Sequence, residues 1–426
     1  MNLIFLFGID IFSSYNLIIE ACVIIILSFF FNQIALKTNI PSVLMLICLG
    51  IGLKLALDTT GKEINFFPVL ELLGIVGLIM IVLEAALELK LEREKTKAIL
   101  VAFGTALVGL IASAYLVTLI LHYFIPEMTN LQLWVYATPL SILSSAIIIP
   151  SVSGLRSDKK EYHIYESTFS DIIGIMMFYY LIGGVGHEDG GSGAVGFTGS
   201  LLLTLVIALV ASYSIILIFQ GIKSHVKLFL LIAVLLLVYS IGKKFHLSSL
   251  LIILIFGLII ANMKLFFPGK TRKYLDFKKA SHIYEELHII TLETAFVVRT
   301  FFFVIFGITI SLASLMEYRV ALISLLIILS IYVVRFVLLR IVIGKDIIPQ
   351  VFIGPRGLIT ILLFYAIPPE VQSASFNSGI LLFVIIGTSL IMTAAMVYDK
   401  QRSQTDIKKA KSISVGSVKW SPKSID

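Results

Sequence analysis

Apolar runs of 18 or more residues recur from one end of this 426-residue chain to the other, each long enough to cross a hydrocarbon core roughly 30 Å thick. Lipid offers a peptide group no hydrogen-bond partner, so such runs must satisfy their own backbone, as helices do. They are continuously apolar rather than alternating, which argues against a β-barrel. With 58% hydrophobic and 14% charged residues and a mean hydropathy of +1.03, the chain lacks the polar surface a soluble protein of this size needs. The expected fold is an all-α polytopic membrane protein.

Hydrophobicity, Pro/Gly breaks and charged clusters place about thirteen spans near 15–35, 40–57, 66–90, 98–122, 131–155, 162–185, 199–222, 226–242, 247–267, 283–312, 318–343, 347–369 and 376–398. The net charge of +7 does not point to nucleic acid, because the basic residues sit in short loops and a polar tail. One set of loops plus the tail holds 25 of the 33 Lys and Arg, the opposite set holds 5, and Arg299, Arg335 and Arg356 lie inside spans. Such a bias puts the tail in the cytoplasm and the N-terminus outside, and only an odd number of spans preserves it. Residues 1–398 then form the transmembrane domain, embedded in the lipid bilayer of the cell (inner) membrane, and 399–426 a polar basic cytoplasmic tail.

The start of the chain lacks a basic n-region and a small-residue cleavage site, and reads as the lead-in to the first helix. Cys22 and Cys48, each in an apolar run, suggest no disulfide framework or metal site and read as small core residues. Gly191, Gly193 and Gly196 have GxGxxG spacing, but no strand precedes them, so residues 186–196 are expected to be a flexible outer loop.

A charge at mid-bilayer costs at least about 2.5–3.5 kcal/mol and usually marks a pathway or an ion pair. At a rise of about 1.5 Å per residue, Asp171 lies roughly 13 Å from the cytoplasmic side, Glu84 about 9 Å, Arg335 about 12 Å and Arg356 about 14 Å. Four charges from four spans thus share a layer, with Glu88 and Glu166 nearer helix ends and Arg299 deeper, at roughly 24 Å. For the Arg and Glu residues the plain alternative is snorkelling or a structural ion pair; Arg299 is open between pairing and gating. Asp171 is too short to snorkel, and Ser167 lies one turn before it on the same face. A carboxylate with hydroxyl neighbours is a hard oxygen site suited to a small cation.

Two spans read as broken: Pro139 to Pro150, with Ser144-Ser145-Ala146 between, and Gly354-Pro355-Arg356-Gly357. Being the fifth and twelfth, they fall seven apart, as expected if spans 1–6 and 8–13 are inverted repeats joined by the seventh.

With these residues in view, the chain resembles the monovalent cation:proton antiporters, and within them the NhaP-like sodium/proton branch. Four segments carry the likeness: Asn39-Ile-Pro41 through Gly50-Ile-Gly52, Leu83-Glu84-Ala85-Ala86-Leu87-Glu88, Glu166-Ser167-Thr168-Phe169-Ser170-Asp171, and Gly354-Pro355-Arg356-Gly357 followed by Pro368. The resemblance implies an NhaA/NhaP-like fold with a core bundle around spans 4–6 and 11–13, the other spans forming a homodimer scaffold. It puts the ion-binding aspartate at Asp171, a ligand hydroxyl at Ser167, an interacting buried acid and base at Glu166 and Arg356, an acid near the site at Glu84, and a basic residue at Arg335. Ser170 stands where the family usually has Asn, or Asp in electrogenic members. Ser144-Ser145-Ala146 replaces a typical Thr-Asp-Pro, which removes a partner for Arg356 and bears on crossing geometry and ion preference.

The function so implied is exchange of Na⁺ (or Li⁺) for H⁺, both competing for Asp171, whose charged form burial disfavours. Ser167, a carbonyl at Ser144 or Ser145, and water would complete the oxygen shell. One carboxylate and two singly charged ions imply one-for-one, electroneutral exchange, with no cofactor beyond the transported ions. Potassium/proton exchange is the nearest alternative, and a transporter-like sensory protein is one from another class. No nucleophile, metal spacing or His/Cys cluster suggests an enzyme. His282 and His288, flanking Glu285-Glu286, read as a solvated helix end or a pH-sensing patch.

Overall fold

The computed structural model describes residues 14–38, 42–58, 67–91, 93–152, 155–183, 193–222, 227–244, 249–267, 276–309, 317–344 and 347–416. Among them the regular structure is entirely helical. In order the helices are α1 (Ser14–Thr38), α2 (Ser42–Asp58), α3 (Phe67–Glu88), α4 (Thr96–Phe124), α5 (Asn130–Ser141), α6 (Ser145–Ser151), α7 (Ser157–Gly183), α8 (Gly193–Phe219), α9 (Lys227–Lys244), α10 (Ser249–Ala261), α11 (Met263–Phe266), α12 (Phe277–Thr309), α13 (Tyr318–Val342), α14 (Leu358–Tyr365) and α15 (Gly379–Gly416). Five stretches among the described residues are long and apolar enough to cross a membrane on those grounds alone: Thr96–Phe124, Asn130–Ile149, Phe277–Thr309, Tyr318–Val342 and Gly379–Asp399. Shorter apolar helices precede the first of these and lie between the second and the third.

Each expected span coincides with one helix or with an interrupted one. The fifth is α5 and α6, separated by residues 142–144, and the twelfth is a single turn, Gln350–Phe352, followed by non-helical residues 353–357 and α14. The first break falls three residues beyond Pro139, which sits inside α5. A third interruption, which the sequence reading missed, separates α10 from α11 at Asn262. Its buried amide donates to Leu89 O (2.8 Å) and Leu258 O (3.0 Å) and accepts from Leu91 N (2.6 Å), so it replaces helix bonds while tying down the chain leaving α3.

The helices pack in two groups. In one, α4 lies against α5, α7 and α13, α6 against α7, α14 against α5, and α15 against α13. In the other, α2 and α3 lie on α12, α10 on α3, α8 and α9, and α1 on α2. The groups meet where α7 and α14 touch α3, where α7 touches α10 and where α1 touches α6. Within the second group, Gly50 and Gly307 let α2 and α12 cross at backbone contact: a Cβ on Gly50 would lie 2.1 Å from Val304 O, and one on Gly307 2.5 Å from Ile47 O. Small residues at such crossings are how apolar helices gain close packing without a hydrophobic drive between them.

Two sequence expectations need correction. Gly193 and Gly196 belong to α8 rather than to a loop, while residues 184–192 lie outside the described residues. Cys22 and Cys48 are exposed on the outer faces of α1 and α2 instead of in the core. In an apolar environment an outward face is as apolar as an inward one, so hydrophobicity did not distinguish them. Beyond the thirteenth span α15 continues to Gly416, which adds a helical stretch to the expected tail without contradicting it.

Candidate functional site

The site is built around the two broken segments, which touch at their gaps. Residues 142–144 leave backbone N–H groups without helical acceptors, and such groups cannot stay bare when buried. Ser144 N donates to Pro355 O of the other gap at 3.0 Å. Leu143 N donates to Ser170 Oγ at 3.0 Å, and Ser145 N to Asp171 Oδ2 at 3.2 Å. Ser170 and Asp171, adjacent on α7, thus hold open the break in the preceding span. Ser170, a candidate cation ligand at the position where the family usually has Asn, has its oxygen already engaged as an acceptor for the break.

The second gap approaches closely because its glycines have no side chains. A Cβ on Gly357 would lie 2.4 Å from Ser144 Oγ, and one on Gly354 2.9 Å from Arg335 Cδ. Between them Arg356, 1% exposed, turns its guanidinium onto the end of α5. Its Nε donates to Leu140 O (2.9 Å), and its two terminal nitrogens donate to Ser141 O (3.0 Å) and Gly354 O (2.7 Å). The carbonyl end of a helix carries partial negative charge, so the α5 terminus supplies what the missing carboxylate of the Ser144-Ser145-Ala146 segment would have supplied. The Arg356 amide is also satisfied, by Thr388 Oγ1 of α15 at 3.0 Å.

The expected pairing of Glu166 with Arg356 is corrected by these contacts: the base that grips Glu166 is Arg335. The two form a forked pair (3.1 and 3.3 Å), and Arg335 also donates to Val351 O (3.1 Å) and Gln350 O (3.2 Å), which anchors the half-span before the second gap. His163 completes the cluster, its Nδ1 lying 3.1 Å from Glu166 Oε2. Sequence reasoning missed His163, although its place one helical turn before Glu166 was a usable signal. A cavity of about 20 Å³, room for a single water, lies among Thr105, Ser141, Glu166, Ser170, Arg335 and Arg356.

Glu84 and Arg299 were assigned separate places in the membrane, and the structure brings them together: Arg299 donates to Glu84 Oε1 at 3.2 Å across the α3–α12 contact. Depths counted residue by residue along one axis, about 9 Å for Glu84 and about 24 Å for Arg299, could not reveal this pairing. Glu84 is therefore bound up in an ion pair in the second helix group rather than hydrogen-bonded to Asp171. The His282–Glu286 pair (3.1 Å) lies on the outer surface of α12, while Tyr284 from the same turn donates to Leu87 O at 3.0 Å.

Asp171 itself is 1% exposed, with Oδ2 held by Ser145 and Oδ1 buried without a partner. Ser167, one turn earlier and fully buried, donates its hydroxyl hydrogen to His163 O at 2.8 Å, which leaves oxygen lone pairs but no proton to give. The Ser144 carbonyl, a suggested ligand, already accepts from Ile147 N (3.2 Å) and Ile148 N (2.9 Å) at the start of α6. The arrangement is one carboxylate with a free oxygen, seated where two interrupted helices cross, with the nearby charges all engaged elsewhere.

Residues 22–397 match the family model described as "Sodium/hydrogen exchanger, transmembrane". The fold is similar to that of the sodium proton antiporter MjNhaP1 from Methanocaldococcus jannaschii: at pH 8 the TM-score is 0.61 with 20% identity over 89% of this chain and 94% of that one. An electron-microscopy map of the same antiporter gives 0.60 and 20% over 96% and 100%. No curated protein sequence matches the chain. A family match across nearly all the helices, joined to an antiporter fold whose interrupted helices cross beside a buried aspartate, makes this multi-pass membrane chain a member of the sodium/hydrogen exchanger family.

Proposed function

We propose that the protein exchanges Na⁺ (or Li⁺) for H⁺ one for one, with both ions competing for the Asp171 carboxylate. The observation that carries this reading is the free, buried Asp171 Oδ1 at the crossing of the two broken spans. A bare carboxylate there is costly, so the site is stable only when a cation or a proton occupies it. Glu166, Arg335 and Arg356 neutralise one another or helix ends, which leaves Asp171 as the group whose charge changes. Exchange of two singly charged ions at one carboxylate moves no net charge. Ser167 and water are proposed to complete the oxygen shell.

Alternating access would come from the first helix group, which holds Asp171, moving as a core against the second as a scaffold; the separate packing of the two groups supports it. Thirteen spans, an outside N-terminus, a cytoplasmic tail and residence in the cell membrane follow from the 25-to-5 distribution of basic residues. A homodimer formed through the scaffold rests on the family resemblance and is tested by the mass of the detergent-solubilised protein. The functional test is Na⁺-, Li⁺- and K⁺-driven proton flux in vesicles, wild type beside Asp171→Asn. Loss of Na⁺ and Li⁺ responses in the variant is expected; an active variant refutes the assignment, and a K⁺ response alone replaces it with potassium/proton exchange.

A further inference from the structure

Among the described residues many helical hydroxyls, those of Thr105, Thr138, Ser141, Ser167, Ser212 and Thr388 among them, donate to the carbonyl four residues earlier. Thr168 does not. Its Oγ1 is fully buried and has no partner. Leaving a buried hydroxyl unpaired costs about 1–3 kcal/mol, and the usual escape, a bond to its own helix, is open to threonine.

The second unpaired oxygen nearby is Asp171 Oδ1. Positions 168 and 171 are neighbours on one helix face, with Cβ atoms about 5–6 Å apart. Together with Ile164 and Ile175 they make a stripe on α7, the helix that touches α3 and α10 of the second group. The two oxygens do not hydrogen-bond each other. A cation of calcium-like radius, which Na⁺ is, sits roughly 2.3–2.6 Å from each oxygen ligand and so bridges a wider gap than a hydrogen bond does.

We propose that Thr168 Oγ1 is a ligand of the transported cation, bound between it and Asp171 Oδ1. This rests on the reading of Asp171 as the ion site and adds a specificity-determining residue to it. A proton sits on the carboxylate alone and needs no second oxygen, so Thr168 favours the cation over the proton in their competition. It also favours small cations, because two oxygens fixed on one helix cannot spread to hold a larger one.

The test compares wild type, Thr168→Val, Thr168→Ser and Asp171→Asn in proteoliposomes, with Na⁺ and Li⁺ titrated at several pH values. Valine keeps the shape and removes the oxygen. It is expected to raise the half-saturating Na⁺ concentration about three- to tenfold, the worth of one neutral oxygen contact. The active range should move to higher pH, where fewer protons compete. Serine should restore both. The melting temperature of Thr168→Val in Na⁺-free buffer should equal or exceed that of wild type, since an unpaired polar group has gone. Unchanged Na⁺ affinity in Thr168→Val overturns the proposal, as does a Na⁺-free melting temperature that falls along with affinity, which would make Thr168 a packing residue. Exchange that survives Asp171→Asn refutes the parent reading instead.

Discussion

Replacing Glu166 by Gln keeps the side chain's shape and removes one charge from the buried cluster. Glu166 accepts from Arg335 at 3.1 and 3.3 Å and faces His163 at 3.1 Å, while Arg335 is 6% exposed. The variant leaves the Arg335 guanidinium with the Val351 and Gln350 carbonyls and at most one neutral amide oxygen, and without a counter-charge. Breaking a buried pair by removing one partner costs about 3–5 kcal/mol. At about 2.1 cal/mol/K per residue, 426 residues have an unfolding entropy near 0.9 kcal/mol/K, so melting should fall by roughly 3–6 °C. A membrane protein keeps helices when it denatures and gains less entropy, which makes that a lower bound. The assay is thermal unfolding in detergent, followed by intrinsic fluorescence, for Glu166→Gln, Arg335→Gln and the double variant. Removing both charges should cost less than the two single changes added together, by at least about 1 kcal/mol. A Glu166→Gln protein as stable as wild type, or a double variant whose loss equals the sum, refutes the reading of this pair as the clamp between α7 and the second gap.

Other sites yield sharper contrasts. Gly357→Ala drives a methyl group into Ser144 Oγ at 2.4 Å and Ile147 Cδ1 at 2.9 Å, so exchange should drop at least tenfold with a stability loss of about 1–3 kcal/mol, while Gly104→Ala, with nothing within 4 Å, should leave flux unchanged. Gly50→Ala meets the Val304 carbonyl, which cannot rotate away; melting should fall and the half-saturating Na⁺ of the remaining folded protein should not move. Ser170→Ala leaves Leu143 N–H unpaired and should cost about 1–3 kcal/mol in melting, whereas Ser170→Asn, whose amide oxygen can accept and whose bulk can use the adjacent cavity, should recover most of it. Imposing a membrane potential on proteoliposomes should leave the Na⁺-driven proton flux unchanged; strong voltage dependence would refute one-for-one exchange.

Much of the architecture could be read from the chain, because in lipid each spanning segment must satisfy its own backbone and therefore announces itself locally. The helix positions, the two interrupted spans, the burial of Asp171 and the identity of the buried charges all follow from hydrophobic runs, Pro/Gly placement and the cost of a charge in hydrocarbon. Which charges meet did not follow. Glu166 takes Arg335 instead of Arg356, Arg299 reaches Glu84, and His163 joins a cluster that no scan for histidine groupings would find. These partnerships span 169 and 215 positions between their acid and base, and they depend on helix tilt, rotation and side-chain reach. The break in the fifth span likewise lies at 142–144, beyond its proline, because Ser170, Asp171 and Pro355 meet the freed N–H groups there. Hydropathy is a property of single segments and so was legible in sequence. Charge pairing and the seat of the free Asp171 oxygen are properties of helices already packed, and only the folded structure could decide them.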